Sequence, residues 1–408
     1  MKLTSEDWRP IRLIQVNLDT LSDATSIPST AGERIWVEIV RRRQVIGVAE
    51  VLAEGDSLSP EVLRELVSDF SEVPTSSFEP VPDEHLPKAT VVVPTICRDP
   101  DQLMRTVDSL LQLDYPNVEI IVVDNRSDTK SVPLPTFAQG HRVRVAVELR
   151  KGASQARNLG IALATGEFIA FTDDDVEVDK GWLRAMGERF ATDAEVDGIC
   201  GLVLPQELLT APQLWFEEFY GGFNQTFLAE VMSMRRTSKS DDLFPYAPGR
   251  FGAGCNMAFR RSVLVRIGGF DVFLGAGTPA HGGEDPAIFI KLILTGGSLA
   301  FEPTALVRHT HRRTERQFMD QVFGYGTGLT AMYTALILRD PRHLWRMIQR
   351  MPAGYRFLTR PRSQRSPSAT TSYPRRTFVY QIVGMAYGPF AYIRSVISTR
   401  WSGRTHRT

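Results

Sequence analysis

Residues 167–175 read EFIAFTDDD: an apolar run, Phe168 to Phe171, leads straight through Thr172 into three adjacent carboxylates, Asp173, Asp174 and Asp175. A short, near-continuous apolar run fits a parallel strand buried on both faces. In an open parallel sheet, ligands bind beyond the carboxyl ends of the strands. Three anions at such an edge repel one another and need a cation to offset them. Hard oxygen ligands favour magnesium or manganese, metals that often bridge to substrate phosphates. On this reading the cluster holds a divalent ion that carries a diphosphate. A solvated turn, or a set of caps for the next helix, is the competing reading of an isolated Asp triplet.

The flanking sequence repeats the strand-helix texture. ATVVVPT (89–95) and EIIVVDN (119–125) read as buried strands, and RVRVAVEL (142–149) as a third. Asp99 and Pro100 cap a helix with Leu103, Val107, Leu110 and Leu111 at helical spacing. Gly152 opens a helix of small residues, ASQARNLGIALATG, that leads into EFIAFTDDD. Downstream, a helix is predicted from Trp182 to Phe190, with Trp182 packed on the sheet and given no chemistry. GRFGAGCNMAFRR (249–261) reads as a glycine-rich loop entering a strand, and GGEDPAIFIKLILTGG (282–297) as a loop and helix. SLAFEPTALVRHTHRR (298–313) reads as a strand pair ending in histidines. Alternating strands and helices predict an α/β class with a mostly parallel central sheet flanked by helices.

Both ends of the chain differ from this middle. In residues 1–71, IWVEIV and VIGVAEV predict a hairpin, and Ser59-Pro60 a capped helix with Leu63, Leu66 and Val67 inward, a small α+β appendage. Residues 72–88 have the Pro-rich, acidic composition of a linker. Residues 89–315 form the predicted catalytic domain, and 316–408 a basic, mainly helical extension with a break at 360–376. The formal net charge of the whole 408-residue chain is zero, yet 17 Arg, no Lys and three acids lie from Arg312 onward. That tail suggests an anionic partner, a membrane surface or a phosphorylated substrate, and no nucleic acid is expected. FVYQIVGMAYGPFAYIRSVISTRW (378–401) is apolar and aromatic but broken by Gly384, Gly388, Pro389 and Arg394. It either docks on the catalytic domain or lies in a membrane interface. Three widely spaced cysteines form neither a metal-binding pair nor a disulfide framework, which fits a reducing compartment. MKLTSEDWRP is too polar for a signal peptide and no segment reads as a transmembrane helix. The expected location is cytoplasmic, or the cytoplasmic face of a membrane.

Four segments together resemble a family 2 glycosyltransferase of GT-A fold: 91–128, 152–183, 251–271 and 282–297, in the family's order and spacing. The resemblance covers about residues 89–315. It implies a metal-dependent enzyme moving a sugar from a nucleoside-diphosphate sugar to an acceptor hydroxyl, with inversion. The acceptor would be a saccharide or, if the tail lies in a membrane interface, a lipid-linked glycan or another cell-envelope precursor. Asp124 would contact the nucleobase, with Pro94 and Thr95 lining its pocket, and Arg157 would face the nucleotide. The family's D-x-D maps onto Asp173, nearer the ribose, and Asp175, on the Mn2+ or Mg2+, with Asp174 able to share either role. The metal ligands would be Asp175, Asp173 and His309, with His311 the second choice of histidine. The catalytic base would be Asp285, with Glu284 beside it. Pro286 suits a first helical position, which would put Asp285 at the N-cap, where the helix dipole weakens a base.

Two alternatives stand beside this. A nucleotidyltransferase would want a glycine- and lysine-rich loop after the first strand, which PTICRDPDQ lacks. A non-catalytic nucleotide-sugar or glycan-binding protein would not need both Asp175 and Asp285. The absence of G-x-G-x-x-G after the first strand argues against a dehydrogenase.

Overall fold

The computed structural model describes residues 8–75, 80–127, 134–137, 142–223, 226–235, 242–359 and 374–405. The N-terminal unit holds β1 (Arg12–Asn17), β2 (Ile27–Pro28), β3 (Arg34–Arg41), β4 (Gln44–Leu52), β5 (Ser57–Leu58) and helix α1 (Pro60–Ser68). The hairpin is β3–β4, and β1 adds to β3 in parallel. Ser59 caps α1 by accepting from the Val62 N–H, and Leu63 and Val67 are buried beneath it. Such a cap contributes about 1 kcal/mol. Glu38, buried on β3, is joined to the main body by Arg308, whose two terminal nitrogens lie 2.7 and 2.6 Å from its oxygens.

The main body runs through β6 (Ala89–Thr95), α2 (Pro100–Leu111), β7 (Val118–Asp124), β8 (Val143–Val147), α3 (Ala153–Leu163), β9 (Phe168–Phe171) and β10 (Val176–Val178). It continues through α4 (Trp182–Thr192), β11 (Gly198–Pro205), α5 (Ala211–Tyr220), β12 (Glu230–Ser233), β13 (Met257–Arg260), α6 (Arg261–Ile267), α7 (Glu284–Leu294) and β14 (Ser298–His309). One sheet takes all nine strands in the order β10-β14-β11-β13-β9-β6-β7-β8, with β12 also on β14. The β8, β7, β6 and β9 ladders are parallel, as is β11 with β14, while β13 runs antiparallel between β9 and β11. Successive residues of one strand feed opposite cores. Val91, Val93, Ile120 and Val122 pack with Leu103 and Val107 of α2, whereas Val92, Ile121 and Val123 pack with Ala156 of α3 and Phe289 of α7. Burial on both faces is what makes these strands read as unbroken apolar runs.

Three local expectations need correction. The segment 298–309 is one strand, not a pair. Its register on β11 jumps from Glu302 to Leu306, so Pro303, which has no N–H to donate, sits in an irregularity of a continuing strand. Strand β8 is the sheet edge rather than a buried strand, with Val145 and Val147 about half exposed. Helix α7 has Gly283, with φ 88°, as N-cap, so Asp285 lies inside the first turn and not at the cap. The glycines and proline that interrupt the apolar run 378–401 do not interrupt its helix. Helix α10 (Arg376–Thr405) runs through Gly384, Gly388 and Pro389. It follows α8 (Glu315–Arg339) and α9 (Arg342–Thr359). A Cβ on Gly384 would lie 2.3 Å from the Phe323 carbonyl oxygen, and one on Gly388 2.4 Å from that of Thr327. The glycines therefore let α10 and α8 meet backbone to backbone. Most of the expected break at 360–376 lies outside the described residues, as do 76–79 of the expected linker.

Candidate active site

The carboxyl ends of β6, β7 and β9 meet on one side of the sheet, and each of the three adjacent aspartates finds a different partner there. Asp173 is held by Arg157, whose Nη2 lies 2.9 Å from Oδ1. Asp174 accepts from the Thr95 hydroxyl at 2.5 Å. Asp175 lies 3.3 Å from His309 Nε2 and 3.4 Å from an Arg312 nitrogen. Burial, then the charge of Asp175, pushes the Asp174 carboxyl up to about 6 against the Thr95 hydrogen bond. Burial also pushes Asp175 up, but His309 and then Arg312 outweigh it and bring that carboxyl down to about 2. The triplet is thus tolerated by giving each of its members a separate polar or charged partner.

Arg157 projects from α3 with only 3% of its side chain exposed. Its Nη1 donates to Asp285 Oδ1 at 2.8 Å and to Glu284 Oε1 at 3.1 Å. One guanidinium therefore ties the end of β9 to the first turn of α7. Arg157, expected to face the nucleotide, and Asp173, expected nearer the ribose and among the metal ligands, face each other in the structure. Burial is the largest influence on Asp285. With Glu284 and Asp173 it lifts the carboxyl to about 8, while Arg157 and the Gly254 backbone N–H pull downward. Its side chain is still 24% exposed and so reachable. Gly254, in the glycine-rich loop, has a specific reason to be glycine, since a Cβ there would fall 1.9 Å from Asp285 Oδ2.

Asp124 ends β7 opposite Thr95 of β6, with Pro94 one residue earlier. It is buried and gripped by Arg126, Nε to Oδ1 at 2.9 Å and Nη2 to Oδ2 at 2.7 Å. Glu148 and Arg150 repeat this pairing beyond β8, at 2.9 and 2.6 Å. Between them Asn125 donates to the carbonyls of Glu148 and Arg150 and accepts from the Gly152 N–H. Sequence reading missed Arg126 and this latch. The signal was present as acid-x-Arg at 124–126 and again at 148–150. It also missed Asn256, which is fully buried, accepts from the Trp182 indole N–H and donates to the carbonyls of Leu202 and Ala305.

The two histidines separate cleanly. His309, opposite Val176 across the β14–β10 ladder, faces Asp175, while His311 Nε2 lies 2.6 Å from Glu217 Oε1. Both rings pack on Phe223, with centroids 5.1 and 5.8 Å away. Among the described residues, no group of three or more His, Cys, Asp or Glu side chains forms a ready metal cage. Asp175 and His309 do present one carboxylate oxygen and one imidazole nitrogen side by side, and buried His309 Nδ1 has no protein partner. That donor pair fits a hard divalent ion that keeps positions for phosphate oxygens and water.

Residues 90–268 match the model of a family described as Glycosyl transferase family 2. A pre-mycofactocin glycosyltransferase of Mycobacterium tuberculosis is 29% identical over 244 residues, 58% of this chain and 46% of the relative. A putative polypeptide N-acetylgalactosaminyltransferase of Drosophila melanogaster is 29% identical over 52% of this chain and 39% of its own length. The chain therefore spans less than half of either relative. A mannosyltransferase of Pyrobaculum calidifontis, solved with GDP-Man and Mn2+, aligns with a TM-score of 0.44 and 18% identity, covering 84% of this chain and 95% of that one.

Proposed function

We propose that this chain, whose residues 90–268 match the Glycosyl transferase family 2 model, moves a sugar from a nucleoside-diphosphate sugar to an acceptor hydroxyl with inversion. The observation that carries the reading is the three-way grip of Arg157. It brings an acid from the strand-end triplet and the acidic pair of α7 into one partly open site. Asp285 takes the acceptor proton as that oxygen attacks the anomeric carbon and the bond to the leaving diphosphate breaks on the opposite face. A carboxyl raised to about 8 suits this task better than an ordinary one, because a base works best with a pKa near the working pH. Asp175 and His309 would hold a Mn2+ or Mg2+ ion, which when bound neutralises charge on the leaving phosphates. Arg312, beside Asp175, would face the same phosphates. Thr95, Pro94 and Asp124 line the strand ends where the nucleoside would lie. Free Cys97, Cys200 and Cys255 favour the cytoplasmic side, where thiols stay reduced.

Asp285→Asn tests the base. Release of nucleoside diphosphate from the donor, to an acceptor or to water, should fall by about 10²–10⁴. Donor-induced thermal stabilisation should remain. Unchanged release would remove Asp285 from the mechanism.

A further inference from the structure

Helix α10 is buried along one side, by small residues, and apolar along the other. Thr377, Gly384, Gly388, Ala391 and Ser395 form its buried face, and the Thr330 hydroxyl of α8 donates to the Met385 carbonyl at 2.7 Å. The opposite face carries Val379, Ile382, Val383, Phe390, Ile393 and Ile397, at helical spacing and between 49% and 65% exposed. These residues lie on a line roughly 27 Å long at 1.5 Å per residue. Helix α9 repeats the pattern on its own, with Leu344, Trp345, Ile348 and Met351 exposed and Arg342 and Arg346 beside them. Contiguous apolar faces of this size on a folded protein mark a surface that meets something else.

We infer that the outer face of α10, aided by α9, lies flat in the interface of an anionic lipid bilayer. Charge selects this occupant. From Arg342 to Thr408 the chain has 13 Arg, no Lys, no Asp and no Glu. A second copy meeting this face would bring the same positive charge, whereas an anionic leaflet complements it. Among the described residues no helix is long and apolar enough to cross a membrane, and α10 is committed along its other face to α8. A helix that is apolar on its free side, docked on its other side and rimmed by arginine is built to lie in the interface rather than span it. This surface is independent of the sugar-transfer chemistry, so either can fail without the other.

The test is vesicle flotation of the full chain. Vesicles of phosphatidylcholine with about 30% phosphatidylglycerol should bind at least about tenfold more protein than phosphatidylcholine alone, and high salt should weaken binding. The triple variant Ile382→Glu/Phe390→Glu/Ile397→Glu should lose binding by about tenfold or more with an unchanged melting curve, since all three side chains point away from α8. Should that variant melt early, Arg342→Gln/Arg346→Gln keeps the apolar face and should weaken binding to anionic vesicles alone. The proposal is overturned if the wild type ignores anionic vesicles, or if both variants float as the wild type does. It is equally overturned if the wild type is a dimer that the Glu variant makes monomeric while neither protein floats.

Discussion

Arg157 decides how the candidate site is charged at rest. A buried guanidinium beside three carboxylates leaves a local excess of negative charge. That excess, on top of burial, keeps the Asp285 proton on. The consequence for pH has a definite sign. Asp285 must be ionised to accept a proton, so kcat/KM for donor turnover should rise with pH and level off above an apparent pKa of about 8. Glu284 is one of the groups holding that value up. Glu284→Gln should move the rise to lower pH while keeping a hydrogen-bond acceptor for Arg157, a shift read from the pH-rate profile. A profile that does not move would mean that another group limits the rate. In stability the same carboxyl acts oppositely: its contribution is fullest below its ordinary value near 3.9 and is lost as pH climbs through about 8. The acids themselves were legible in the sequence, because Asp173–Asp175 and Asp285 sit at a strand end and a helix start marked by apolar runs. Their partners were not. Arg157 and Asp285 are 128 residues apart, and only tertiary packing brings them together.

Element-scale features depend on helices α7, α8 and α10 acting as a stack. Gly283, the N-cap of α7, and Gly328 of α8 approach so closely that a Cβ on Gly283 would lie 2.4 Å from the Gly328 carbonyl oxygen. Helix α8 therefore buttresses the turn that presents Asp285, while its Gly326 meets α10 at the Gln381 carbonyl. Gly384→Leu should force α10 off α8 and destabilise the chain by about 1–3 kcal/mol or more, the usual cost of overpacking. Chemical denaturation would show this as a lower midpoint, and a midpoint equal to the wild type would contradict the tight crossing. In sequence these glycines look like helix breakers, because propensity sees only their local cost. Their packing value appears once a second helix backbone is in contact. The long strands were read correctly for the opposite reason, since burial on both faces writes itself directly into the apolar run. Edge strand β8 misled because Val145 and Val147 are apolar yet half exposed.

Across the whole molecule, the candidate site lies at the carboxyl edge of the central sheet, and α8 links it to the apolar, arginine-rimmed face of α10. The arginine-rich tail, and not the acidic body, is the part of the molecule whose charge complements an anionic surface. Donor binding can be tested before any acceptor is known. Thermal stability should be measured against UDP-, GDP- and dTDP-sugars with manganese, magnesium or chelator, in the wild type and in Asp175→Ala. A ligand at a hundredfold excess over its Kd stabilises the native state by about 2.7 kcal/mol. The expected result is a rise in Tm with sugars of one nucleotide, present with metal, absent with chelator and absent in Asp175→Ala. A cooperatively melting wild type that no donor shifts in the presence of metal, or that a donor shifts equally in chelator, would contradict it.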